Sequence, residues 1–269
     1  MENQKLRELQ LVELEILTVV DAFCREHGIN YSLYAGTALG AVRHGGFIPW
    51  DDDIDICMER NAYLRFLESW RESPVQGYTL VGDDEPGCHI NHTKVFKDNT
   101  VLSFNGEAEA SGHQGVFLDI FALDKVPSNK KVIKKFIRKA KLRVVYTRDY
   151  TYTIGSKLLE LASRLLLFKT KKHKAKLRRR LEEYVQQYKD MQDGYLYIGL
   201  ESPDMLQFFY PADILETCEI EFEGRKFFIT KKSHEMLTTM FGDYMQLPPE
   251  EERVCKHNPE MAYLEAEHQ

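Results

Sequence analysis

Nowhere does this chain run to 18 or more consecutive apolar residues, which excludes a transmembrane helix as read from sequence. It has no C-x-x-C pair either. Its five cysteines, Cys24, Cys57, Cys88, Cys218 and Cys255, are scattered and odd in number. That pattern speaks against structural zinc and for reduced thiols in a cytoplasmic protein. The first residues, MENQKLRELQLVELEIL, are charged and helix-periodic, unlike a secretory signal. Internal repeats, low-complexity linkers and recognised nucleic-acid motifs are all missing, so no nucleic acid is expected as a partner. A surplus of positive charge is also lacking: the formal net charge is −6 and the pI about 5.9.

The charge that is present is unevenly placed. Lys125 to Arg180 holds 20 Lys/Arg against two acids, Asp149 and Glu160, a local charge of +18; the remainder carries −24. A basic stretch set against an acidic remainder suits an anionic partner. Ile154–Arg180 places Leu158, Leu161, Leu165, Leu166 and Phe168 beside a Lys/Arg cluster. That suits an interfacial helix on an anionic membrane, hence a peripheral position at the inner membrane face. A packed helix with a solvated basic face is the alternative, and the simpler one.

A hydrophobic content of 43% and an aromatic content of 12% are those of a folded globular chain, here with 269 residues to form one sizeable core. Apolar spacing predicts a helix over residues 4–27 with a stop at His27-Gly28. A buried strand follows at Ile29–Ala35, then a short helix from Gly36-Thr37 that Gly45-Gly46 and Pro49 end. Asp53–Met58 reads as a strand. Asn61–Glu72 reads as an amphipathic helix with Tyr63, Leu64, Phe66, Leu67 and Trp70 inward. Strands are expected at Gly77–Val81, Ile90–Phe96 and Gly115–Leu123, with a polar loop at Phe104–Gln114. Residues 130–192 read as helical with a break near Tyr152–Ser156. Beyond Gly194 the chain reads as irregular except for a hairpin over Phe222–Ile229 and a helix over Lys231–Phe241. The expected organisation is an α+β catalytic core over residues 1–125, a basic helical insertion over 126–193, and a C-terminal segment, 194–269, that packs back on the core.

The densest chemical signal is YAGTALGAVRHGGFIPWDDDIDI, Tyr34 to Ile56. In a strand Asp53 and Asp55 project from one side, roughly 7 Å apart at Cα, with Ile54 and Ile56 turned to the core. Two carboxylates aimed together repel unless a cation lies between them. Hard oxygen ligands suit Mg²⁺ or Mn²⁺, which commonly also bind substrate phosphates. The segment therefore reads as a metal-dependent phosphate-transfer site. Asp119, in the apolar run GVFLDIFALD, is costly to bury unless paired or ligated. It reads either as a third site carboxylate or as a buried Asp paired with an Arg or backbone amides. Asp51 and Asp52 either tune the site or accept backbone hydrogen bonds in a turn. Gly36-Thr37 opens a helix and suits a phosphate turn, or serves as an ordinary cap. Arg43 can clamp a diphosphate. His44 reads as a surface residue or a substrate contact, and Lys94 as a phosphate partner or an exposed edge-strand lysine. Trp50 either stacks on a base or covers an apolar edge.

These residues resemble the signature of the LicD family, phosphocholine transferases with a nucleotidyltransferase-like fold. The likeness is carried by GTALGAVRHGGFIPWDDDIDI, KVFKDNT, GVFLDIFALD and FGDYMQLPPEEER, and covers most of the chain. It implies an α+β fold with a nucleotidyltransferase-like mixed β-sheet core, an N-terminal helix and a helical basic insertion. It further implies transfer of a phospho-alcohol from a CDP-activated alcohol donor to a sugar hydroxyl, with release of CMP. Phosphocholine is the expected group, ribitol or glycerol phosphate the alternatives. The acceptor would be a glycan or lipid-linked glycan, such as a cell-surface glycan or teichoic acid precursor. Metal ligands would fall at Asp53, Asp55 and Asp119, and the phosphate turn at Gly36 and Thr37. After PPEEER the chain reads VCKHNPEMAY, which departs from the histidine placement of relatives and leaves His257 without an assigned role. Three rival readings remain. A sugar-nucleotide glycosyltransferase would use Asp53-Ile54-Asp55 as its metal motif. A D-x-D-x-T/V phosphatase would require Thr or Val where Cys57 stands. The third is a non-catalytic polyanion- or membrane-binding protein.

Overall fold

The computed structural model describes residues 2–82, 92–104, 107–108, 114–126, 129–135, 195–197, 209–255, 257 and 259–264, with isolated positions between 138 and 190. It divides into two compact units, residues 1–121 with 213–269, and residues 122–212.

The first unit begins with α1, Glu2–Glu26, whose apolar face buries Leu6, Leu9, Val12, Ile16, Leu17, Val20 and Phe23. Gly28, at φ +60, follows its end. The predicted strand Ile29–Ala35 narrows to β1, Ser32–Leu33. Tyr34 donates its N–H to Asp55 O, and Ala35 at φ +43 already opens α2, Ala35–His44. α2 ends where Gly45 takes the left-handed conformation at φ 70. Then comes β2, Asp55–Glu59, two residues later than expected. Asp53 therefore precedes the strand instead of belonging to it. The inward assignment of Ile54 and Ile56 holds, both at 1% exposure or less.

α3 spans Arg60–Glu72, and the Glu59 side chain caps it by accepting from Asn61 N–H. Tyr63, Phe66, Leu67 and Trp70 are buried, but Leu64, expected inward, is exposed. Each buried aromatic contributes about 1.5–3 kcal/mol of transfer free energy, which fastens α3 against Phe23 of α1. Next are β3 (Tyr78–Val81), β4 (Thr93–Lys97), β5 (Thr100–Phe104), β6 (Glu107–Ala108) and β7 (Phe117–Val126). The order across the mixed sheet is β1-β2-β7-β4-β3, so β4 is an inner strand. Lys94 is accordingly not an exposed edge residue; it is 3% exposed. Within the expected polar loop Phe104–Gln114, β6 pairs with β5.

In the second unit the end of β7 pairs with β8 (Tyr195–Tyr197), and β8 with β9 (Phe209–Tyr210). The stretch after Gly194 is thus not irregular at these positions. Residues 130–135 are helical. The predicted break near Tyr152–Ser156 and most of the Ile154–Arg180 stretch lie outside the described residues.

Back in the first unit, β10 (Thr217–Phe222) and β11 (Arg225–Thr230) form the predicted hairpin. Its turn, Glu223-Gly224, has φ of 53° and 71°, the left-handed pair that matches strand twist. α4, Ser233–Phe241, follows. The tail then forms a strand absent from the sequence reading, β12 (Pro259–Tyr263), which pairs with β5. The result is an α+β architecture.

Candidate functional site

The aspartates gather where α2, the loop before β2, and β7 meet. Asp119 N–H donates to Ile54 O at 2.9 Å, which sets β7 beside the start of β2. Asp51, Asp52 and Asp53 each offer an oxygen within 4.8 Å of one another. Asp55 is buried, and its N–H donates to Thr37 Oγ1 at 2.8 Å. The Thr37 hydroxyl thus fastens the first residue of β2 to α2. Gly36 faces the Asp51 carboxylate: a Cβ there would lie 2.6 Å from Asp51 Oδ2. Gly40, one turn on, packs against the loop backbone, where an added Cβ would overlap Gly46 O and lie 3.2 Å from Ile48 N.

Asp119 is buried with Lys94 Nζ at 2.9 Å and His92 Nε2 at 3.1 Å from its Oδ1. Distance rather than alignment describes these contacts, since among the described residues Asp119 Oδ1 and His92 Nε2 lack well-directed hydrogen bonds. Lys94 Nζ also stands 3.2 Å from the Phe117 ring centroid. The tail brings two further groups: His257 Nδ1 is 3.0 Å from Asp52 Oδ2, and Cys255 Sγ donates to the same oxygen at 3.4 Å.

Crowded carboxylates raise one another's affinity for protons. Burial, then Asp53 and Asp52, pushes Asp51 up to about 8. Burial, then Asp119 and Asp52, pushes Asp53 up to about 6. Asp55 is driven well above the usual carboxylate range by burial and by Asp53 and Asp119. Asp119 moves the other way: burial pushes it up, but His92 and Lys94 outweigh that and hold it at about 2. Asp119 is thus favoured in its charged form, whereas Asp51, Asp53 and Asp55 are pushed toward protonation.

Among the described residues, Asp119 pairs with a lysine and a histidine, and neither an arginine nor a backbone amide is seen at its carboxylate. Arg43 donates to Tyr244 O at 2.8 Å and lies within electrostatic reach of Asp51. His44 is exposed, and its ring meets that of Trp50 edge-on at 6.2 Å. Burial and then Arg43 depress its basicity.

The sequence reading missed Glu13. This α1 residue is 1% exposed, its Oε2 has no hydrogen-bond partner among the described residues, and it feels Asp53, Asp51, Asp52 and Asp119 electrostatically. Burial and these four charges raise its proton affinity strongly. The available signal was its place on the helix face: Leu9 and Leu17, four residues to either side, are both buried. His92 gave no such signal, and the contact of His257 with Asp52 joins residues 205 apart in sequence.

Residues 28–154 match the family model described as LicD/FKTN/FKRP, nucleotidyltransferase domain. With the α+β sheet and its aspartate cluster, this match points to the class of the protein, a transferase. The chain is 34% identical over 281 aligned residues to a Haemophilus influenzae protein, "Lipopolysaccharide cholinephosphotransferase LicD", covering 98% of this chain and 100% of the relative. An uncharacterized Rickettsia typhi protein is 34% identical over 71 residues, 26% of this chain and 20% of that protein. The chain belongs to the LicD family and is a LicD-type transferase.

Proposed function

We propose that this protein transfers phosphocholine from CDP-choline to a sugar hydroxyl of a lipopolysaccharide-type or other lipid-linked glycan, releasing CMP. The full-length likeness to the Haemophilus influenzae cholinephosphotransferase supports the group transferred and the acceptor class. The observation that carries the chemistry is the crowding of Asp51, Asp52, Asp53, Asp55 and Asp119, which repel one another and so favour a divalent cation. Their hard oxygens fit Mg²⁺ or Mn²⁺. Asp53, Asp55 and Asp119 would hold it, where it would neutralise charge on the donor diphosphate.

In the reaction, the acceptor hydroxyl oxygen forms a bond to the phosphorus of phosphocholine. The bond from that phosphorus to the bridging oxygen of CMP breaks, and the hydroxyl proton passes to a site base. Asp119, held at about 2 by His92 and Lys94, is suited to remain anionic and bind, and poorly suited to take that proton. Gly36 and Thr37 border the donor phosphates, and Thr37 also keeps Asp55 in register. Arg43, Lys94 and Trp50 complete the donor pocket, with Trp50 available to the cytosine ring. Catalysis then rests on positioning and charge neutralisation. The +18 segment over Lys125–Arg180 supports an anionic acceptor or membrane surface. Among the described residues no helix is long and apolar enough to cross a membrane.

Incubation with CDP-choline, CDP-ribitol or CDP-glycerol, a glycan acceptor and Mg²⁺, following CMP, tests this reading. CMP release with CDP-choline foremost, abolished by EDTA, is expected. Preference for CDP-ribitol or CDP-glycerol would replace the donor, and silence with all three would reject the transfer.

A further inference from the structure

The loop that delivers the aspartates is gripped by two elements outside residues 28–154. From α1, Gln10 is buried and donates through Nε2 to Asp51 O at 2.9 Å and Ile48 O at 3.4 Å. Arg7, three residues earlier on the same face, donates to Gln10 Oε1 at 3.2 Å. Arg7 Nη2 also pairs with Glu223 Oε2 at 2.6 Å. Glu223, at the β10–β11 turn, accepts from Phe47 N–H at 3.1 Å and donates its own N–H to Gly45 O at 3.0 Å. Gly46 has no room for a Cβ because Glu223 Oε1 occupies that space. Gly45, Phe47, Ile48 and Asp51 are thus each tied through their backbone to one connected set of residues, Phe47, Ile48 and Asp51 by side chains and Gly45 by the Glu223 backbone.

We propose that Arg7, Gln10 and Glu223 are positioning residues for the transfer reaction: a brace that sets the Gly45–Asp51 backbone so that the aspartates after it face substrate. The proposal rests on the transfer reading above. A partly exposed ion pair such as Arg7–Glu223 adds little to global stability, so the function of the brace is geometric. The molecule also contains its own control. Arg25 joins the same helix to the same hairpin, pairing with Glu219 at 2.9 Å and donating to Lys226 O at 3.3 Å, with no bond to the 45–51 loop. If the hairpin mattered only as a docked element, the two ion pairs would be equivalent.

The test compares Glu223→Ala, Glu223→Gln, Gln10→Met and Glu219→Ala in the full chain. Glu223→Ala and Gln10→Met are expected to lower kcat for CDP-choline-dependent transfer by at least about tenfold with donor KM little changed, since small misplacements of reacting groups are costly. Glu223→Gln, which keeps an acceptor for Phe47 N–H, should recover most of kcat, and Glu219→Ala should leave it intact. Amide hydrogen exchange over residues 45–53 should quicken in Glu223→Ala and not in Glu219→Ala. Equal kcat losses in Glu219→Ala and Glu223→Ala, or none in Glu223→Ala and Gln10→Met, overturn the proposal. If the wild type releases no CMP from any CDP-alcohol, the transfer reading fails separately. The exchange arm then decides: quickened exchange in Glu223→Ala alone upholds the brace, and unchanged exchange removes it.

Discussion

Replacing Gly40 by alanine sets two physical effects against each other. Gly40 lies inside α2, where alanine is the better helix former by about 1 kcal/mol, so propensity alone forecasts a stabler protein. The structure reverses that sign. The new methyl would overlap Gly46 O, a backbone atom with no rotamer to escape into, and would lie 3.2 Å from Ile48 N. Gly46 N–H also bonds to Gly40 O at 3.4 Å, so the two backbones are already in contact. Overpacking of this kind costs about 1–3 kcal/mol. The net expectation is a loss of up to about 2 kcal/mol, read as a lower urea midpoint at unchanged slope. Relief requires the Gly46–Ile48 backbone to retreat by a fraction of an ångström to about 1 Å. That segment leads directly into Asp51, and displacements on the order of 1 Å cost about 100-fold in rate. Gly40→Ala should therefore lose far more turnover than stability. A variant as stable as wild type and equally active would refute the reasoning, since it would mean that the loop moves freely without consequence for the site.

Thr37→Val keeps the shape of a fully buried side chain but leaves Asp55 N–H without its acceptor. Urea unfolding should show a loss of about 1–3 kcal/mol, and Thr37→Ser should restore most of it; equal losses in both would show that the methyl, not the hydroxyl, matters. Asp51 and Asp53 have native proton affinities raised to about 8 and about 6, so the metal-free chain holds more protons than the unfolded one between about pH 4 and pH 8. Its stability should fall as pH rises through that window, and Mg²⁺ should raise the melting temperature more at pH 8 than at pH 5.5. A metal-free melting temperature that climbs from pH 5.5 to pH 8 would contradict this. Asp119 contributes the opposite sign, losing stability only as pH falls below the usual carboxylate range toward about 2. The basic segment should sediment the protein with anionic vesicles at low salt and not with neutral ones, each nearby Lys or Arg adding about 1 kcal/mol. Salt should reverse the charge-driven part; no binding to anionic vesicles at low salt would end the membrane hypothesis.

Much of this arrangement was legible in the amino-acid order because it is local. The stripe of α1, the inward face of α3 and the Glu223-Gly224 turn follow from periodicity and backbone preference. The aspartate cluster stood out for the same reason. What escaped depends on distant partners. β2 begins at Asp55 because Thr37 and Tyr34, some twenty residues earlier, take its N–H and C=O. β12 pairs with the edge of β5, and His257, two residues before that strand, lies against Asp52. Leu64 looked inward by spacing, yet α3 turns that position to solvent. Glu13 and Gln10 carry no signal in the helix pattern, because their roles depend on the loop they face.

The central claim is that Asp53 and Asp55 act together on a donor diphosphate. The most direct measurement is Mg²⁺-dependent CMP release from CDP-choline by Asp53→Asn and Asp55→Asn beside the wild type, each checked for an unchanged urea midpoint or better. Removing a metal ligand should cost several kcal/mol of transition-state stabilisation, about 100-fold or more in rate, so turnover should vanish from folded protein. Near-wild-type CMP release from either variant would contradict the account.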